Sequence, residues 1–113
     1  MRVLFLPEVA EQFLKIAEIL YDKGYMSFVD DAVAYSEELF RDIRYGIHLK
    51  VKRNVPEHLR VIYGSTYYSV FKKNRQTTWY VFYDIYTVGS EKTFLIRYLT
   101  NNHVVSHRLY AES

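Results

Sequence analysis

The chain has 113 residues, half of them hydrophobic and a quarter charged, a composition that gives one domain with a modest core and excludes a disordered polymer. It contains no cysteine, which excludes a disulfide framework and any thiolate metal site. The net charge of +2 is unevenly placed: residues 1–43 carry four bases against nine acids (−5), and residues 44–113 carry eleven bases against four acids (+7).

Val3 to Leu6 is a short apolar run of strand length, ended by Pro7. Pro7 and Glu8 then open a helix, where proline is tolerated and an acid favours the positive end. Val9, Phe13, Ile16 and Leu20 recur at helical spacing, and Gly24 is a natural stop. A second helix is expected from Ser27, with Ser27 and Asp30 as a capping box and Phe28, Ala32, Tyr35, Leu39 and Ile43 as its apolar stripe, to Gly46. The short link between the two predicts an antiparallel helical hairpin. Residues 47–66 read as a long basic connection with room for one short edge strand.

Three strands follow. Tyr67–Lys73 and Thr77–Tyr86 are rich in Thr, Trp, Tyr, Val and Phe and are separated by the turn Asn74-Arg75-Gln76. Gly89-Ser90 turns again, and Lys92–Thr100 is the last strand. Asn101-Asn102 then stands where it would cap a short terminal helix through Tyr110. The prediction is a single α+β domain over residues 1–113, β-α-α-β-β-β, with the hairpin packed on one face of a small, mainly antiparallel sheet. The other face stays at least partly open, and function is sought there. No apolar run approaches the ~20 residues of a membrane span. The apolar start meets Pro7 and Glu8 too soon for a signal peptide. A soluble, cytoplasmic protein without membrane contact is expected.

The chemistry-bearing residues cluster late. Lys72, Lys73 and Arg75 form a basic knot at the first turn of the meander, and the strand period of two sends Lys72 and Lys73 to opposite faces. Such a knot either clamps phosphates or protects a sheet edge. Trp79, Tyr80 and Tyr83 offer rings for stacking on bases or for ordinary strand packing. Arg97 is the only charge well inside the last strand, and it needs either an open face or a partner such as Asp84. His103 and His107 lie four apart in the tail, with Tyr110 beyond. They lack the glutamate of an HExxH motif and an evident third ligand, so no metal or cofactor is expected.

The element order, together with Phe71-Lys72-Lys73-Asn74-Arg75, Thr77-Thr78-Trp79-Tyr80-Val81-Phe82-Tyr83 and Asn101-Asn102-His103, resembles the RelE/ParE toxin superfamily of type II toxin–antitoxin systems. The fold-level likeness covers nearly the whole chain, and the residue-level likeness covers about its last third. The resemblance implies a toxin neutralised by a cognate antitoxin. One branch enters the ribosome and cuts mRNA without metal, using the RNA's own 2′-OH. Another branch inhibits DNA gyrase and needs no ribonuclease site. A degenerate member that only binds its partner is the third possibility. On the ribonuclease reading, the resemblance assigns Lys72, Lys73, Arg75, Trp79 and Tyr80 to RNA binding, and Arg97, His103, His107 and Tyr110 to catalysis. The chain departs from the ribonuclease pattern at Tyr80, which stands where an arginine commonly starts the middle strand. A tyrosine cannot offer a bidentate guanidinium to phosphate.

Overall fold

The structure, a computed structural model, describes residues 1–24 and 26–102. Strand β1 (Arg2–Phe5) leads into helix α1 (Pro7–Asp22), which has Pro7 in its first turn, and helix α2 spans Val29–Gly46. After the connection, which contains the two-residue strand β2 (Arg53–Asn54) and the one-turn helix α3 (Arg60–Tyr63), come β3 (Tyr67–Lys72), β4 (Thr78–Val88) and β5 (Glu91–Asn101). The five strands form one sheet in the order β1-β5-β4-β3-β2. β3, β4 and β5 make an antiparallel meander, and β1 pairs parallel with β5. The class is α+β, as the sequence predicts. The sheet is mixed, and a fifth strand arises in the connection. Gly89 supplies the positive φ (62°) at the first residue of the two-residue β4–β5 turn.

The helical stripe of α1 and that of α2 meet the same face of the sheet. Val9, Phe13, Ile16, Leu39 and Ile43 are buried in one core with Phe71, Trp79, Val81, Tyr83, Phe94, Ile96 and Leu99. Leu20 and Tyr35 are half-buried against that core. Two buried contacts bring the helices together. Ser36 is buried and its hydroxyl donates to the Phe13 carbonyl, and the Phe13 and Phe40 rings meet edge to face at 5.3 Å. Two details of α2 differ from expectation. Phe28 is 67% exposed, because it is the extended residue before the helix (φ −123°, ψ 136°) and so stands outside the helical period. The helix begins at Val29 without a side-chain cap, so the Ser27–Asp30 capping box does not form there.

The connection is the part that periodicity leaves unread. Ile47 is buried in the helix-side core, Val51 is exposed, and Val55, Leu59 and Tyr63 are buried with Phe82 on the opposite face. The chain therefore wraps around the β3 edge from one face of the sheet to the other. Gly64, at a left-handed φ of 67°, ends α3 and returns the chain to β3. A buried relay fixes the wrap. The Ser69 hydroxyl bonds the Val51 carbonyl at 2.9 Å and contacts the Tyr83 hydroxyl at 2.8 Å. Because Ser69 has one proton and gives it to Val51, Tyr83 donates to Ser69. Burial raises the Tyr83 pKa above the usual phenol value, and Tyr67 adds to the rise.

Tyr83→Phe is expected to lower stability by about 1 kcal/mol in urea titrations, the scale of one buried hydrogen bond. The raised pKa also sets a pH dependence. Folded Tyr83 keeps its proton while the unfolded phenol ionises, so this contribution is complete below pH ~10 and falls as pH rises through that value. The phenylalanine variant should show a shallower loss of stability above pH ~10. An equal slope in the two proteins would remove Tyr83 from that titration.

Candidate functional site

The face turned away from α1 and α2 presents Tyr68, Val70 and Lys72 from β3, and Tyr80, Phe82, Asp84 and Tyr86 from β4, by the alternation of each strand. It is more covered than expected. Tyr63 stacks on Phe82 at 4.2 Å and lies 5.4 Å from the Tyr98 ring, so α3 closes its middle. Tyr80 remains half-buried, its ring 6.3 Å from that of Tyr68.

β5 carries a bulge that decides where Arg97 goes. Phe82 pairs with Tyr98 and Tyr83 pairs with Ile96, which leaves Arg97 as the extra residue. Ile96 and Leu99 both reach the helix-side core, and Arg97 joins Asp84 and Tyr86 on the other face. Its Nε lies 2.7 Å from Asp84 Oδ2 without the alignment of a hydrogen bond, and its Nη2 donates to the Tyr86 hydroxyl at 3.0 Å. The second Asp84 oxygen accepts the Thr66 N–H at 2.9 Å. The Arg97 pKa is raised further above its ordinary value, chiefly by the Tyr86 hydrogen bond, with burial opposing and the charge of Asp84 assisting. The guanidinium is thus a fixed cation, and the side chain is 31% exposed. Of its five N–H groups, one on Nη2 donates to Tyr86, and Nε lies against Asp84.

Lys72 is exposed at the end of β3, where strand alternation sets it on the face of Tyr80, and it also borders a recess with Asp42, Lys50, Phe71 and Lys73. Lys73 turns to α2, where its Nζ lies 2.9 Å from Glu38, 3.2 Å from Asp42 and 5.5 Å above the Tyr35 ring. Burial works against its charge, but hydrogen bonds and attraction from Glu38 and Asp42 outweigh it, and the pKa is raised. Trp79 is 5% exposed beneath α2 and donates to the Tyr35 hydroxyl at 2.8 Å. Its ring is a core element in this arrangement and is not offered to a base. Strand alternation carried the signal, since Trp79 shares a face with Val81 and Tyr83.

Arg75 is exposed in a turn that is built with care. Asn74 Oδ1 accepts the N–H groups of Gln76 and Thr77 at 2.9 and 2.8 Å. Asn102 latches the same turn, accepting from Thr78 N at 3.1 Å and donating to the Gln76 carbonyl at 3.0 Å. The chain thus leaves β5 beside Arg75. His103, His107 and Tyr110, and the terminal helix expected there, lie outside the described residues. The candidate residues therefore divide. Lys72, Arg75 and the end of β5 share one end of the sheet. Arg97 sits roughly 13–17 Å from that end along β5, at ~3.3 Å per residue. Residues that sequence reasoning missed are Tyr86, identified once the strands are in register, and Glu38 and Asp42, identified once α2 packs beside Lys73.

No protein-family model, no curated protein and no solved structure matches the chain. Among the described residues no helix is long and apolar enough to cross a membrane.

The division between used and unused cations is testable. Lys73→Met should cost about 1 kcal/mol of stability in chemical denaturation, the upper range for partly exposed ion pairs. Lys72→Ala should stay within about 0.5 kcal/mol of the parent. Equal losses would show that Lys73 holds no special place in the fold.

Proposed function

We propose that this chain is the toxin component of a type II toxin–antitoxin system of the RelE/ParE kind, acting first as a ribosome-dependent mRNA endoribonuclease. The observation that carries the reading is the bulge-borne Arg97 on the sheet face that the helical hairpin leaves free, within a chain whose element order resembles that superfamily. Lys72 on the same face and Arg75 at its end supply further positive charge for a polyanion, and half-buried Tyr80 is one ring there that a base could stack on. In this chemistry the RNA 2′-oxygen attacks the adjacent phosphorus and the 5′-oxygen leaves. Arg97 is a cation at every physiological pH, so its role is to neutralise the pentavalent phosphate and not to move a proton. Proton transfer is assigned to the tail group of His103, His107 and Tyr110.

A second reading, a ParE-like gyrase inhibitor without nuclease activity, is favoured by one specific observation. Lys73 and Trp79 are engaged by α2, and Arg97 carries a carboxylate at 2.7 Å. These contacts thin the set of residues free to hold RNA.

Expression without an antitoxin should arrest bacterial growth, with translation failing before DNA supercoiling changes. Arrest with intact translation and accumulated gyrase–DNA breaks would move the proposal to the second reading, and no arrest by folded protein would leave a partner-binding member only. In single-turnover assays with programmed ribosomes, Arg97→Ala should slow cleavage roughly a hundredfold while ribosome binding weakens modestly. Arg97→Lys should rescue poorly, because lysine lacks the planar fork that reaches Asp84, Tyr86 and a phosphate together. Cleavage at the parental rate by folded Arg97→Ala would remove Arg97 from the site.

A further inference from the structure

The outer side of the helical hairpin carries a second apolar stripe on each helix, which meets the core at Phe40, stacked on Phe5 at 4.7 Å. On α1 it runs through Leu14, Ala17 and Tyr21, and on α2 through Val29, Val33 and Phe40, at spacings of three, four and seven residues. Leu14 is 79% exposed and Val33 is 40% exposed. Leu14, Ala17, Val33 and Phe40 line one open groove between the helices, floored by Phe13 and Ser36. A leucine at such exposure is unremarkable alone, but two stripes converging on a groove form a helix-docking geometry.

The charge around the groove selects its occupant. α1 holds four acids against Lys15, and α2 holds five acids against Arg41 and Arg44, so each helix carries −3. Lys73 neutralises part of this through Glu38 and Asp42 on the sheet side of α2. Glu37 borders the groove itself, and helical spacing sets Glu11 and Glu18 beside Leu14 on α1. Two such hairpins facing each other across a two-fold axis would bring like charge against like charge. We infer that the α1–α2 groove is a docking site for an amphipathic helix of another protein, with an apolar stripe flanked by lysine and arginine. This surface is separate from the sheet face assigned to RNA, and it stands or falls independently of that assignment. α1 spans about 24 Å at 1.5 Å per residue, the length of a bound helix of about four turns.

The test uses the full chain and two designed 16-residue helical peptides with the same leucine stripe, one flanked by lysine and arginine and one by glutamate. Fluorescence anisotropy should show saturable binding of the basic peptide at low salt and at least tenfold weaker binding of the acidic one. Raising the salt should weaken the basic complex. Leu14→Lys and Val33→Lys, at exposed positions and with the fold checked by circular dichroism, should each reduce binding about tenfold or more. The growth-arrest phenotype of the unbound chain should persist in both variants if the arresting surface is the sheet. Absence of basic-peptide binding, equal binding of the two peptides, or binding untouched by both substitutions would overturn the inference. So would a concentration-dependent dimer in sedimentation that Leu14→Lys dissolves, since it would make a second copy the occupant.

Discussion

Strict alternation along β4 is the constraint on which the rest of the molecule depends. β4 pairs along its length with β5 and along half of it with β3, so its side chains have no freedom to choose a face. Trp79, Val81, Tyr83 and Ile85 go to the helices, and Tyr80, Phe82, Asp84 and Tyr86 go to the other side. Both sets are large and both need cover. The helical hairpin covers the first set, and the wrapped connection covers part of the second through Val55, Leu59 and Tyr63. At ~25 cal/mol per Å², a buried aromatic contributes several kcal/mol, so leaving Phe82 to water would be costly. The connection is long because it must cross the sheet edge to reach that ring.

Legibility followed period. The stripes of α1 and α2 were readable because six of their nine apolar positions, recurring every three or four residues, are buried. Tyr35 and Leu20 lie at its margin, and Phe28 failed because the period holds only within the helix. Residues 47–66 had no period to read, since their buried positions Ile47, Val55, Leu59 and Tyr63 belong to two different faces. The aromatic density of β4 revealed a strand but not its orientation, because rings on both faces are about equally apolar. What separates Trp79 from Tyr80 is which cover lies above each, and that is a tertiary fact.

The bulge at Arg97 left a trace in the sequence. Phe94, Ile96 and Leu99 all face the helices, and the step from 96 to 99 is one residue longer than strand alternation allows. An apolar spacing of two and then three within a strand is the signature of an inserted residue, and the inserted residue here is the charged one. Without the bulge, strict alternation would have to set either Arg97 or Leu99 on the wrong side. The strand keeps its core register on both sides of Arg97 and releases the guanidinium to the face where Asp84 waits. The alternative of an Asp84 partner was legible as chemistry. The geometry that adds Tyr86 and Thr66 was not, because each is brought in by pairing across strands.

Cations in this chain fall into two populations, and burial separates them better than sequence clustering does. Lys72, Lys73 and Arg75 are neighbours in the chain but not in role. Lys73 is held by two acids and a ring of α2, whereas Lys72 and Arg75 face solvent. Lys50 and Lys52 sit over the rings of Phe71 and Tyr67 at 4.9 and 4.5 Å, flanking the β3 edge. Cations at these positions protect an edge that β2 pairs only at Tyr67 and Tyr68. The positive excess of residues 44–113 is therefore partly structural, and a count of basic residues overstates the charge free to meet a polyanion. The negative excess of the hairpin is less engaged. Among its ion pairs in the described residues, Arg41–Glu37 is an exposed pair at 4.0 Å within one helix, and Lys73 is the cation the sheet contributes. The molecule thus keeps an acidic helical side and a moderately basic sheet side on one small domain.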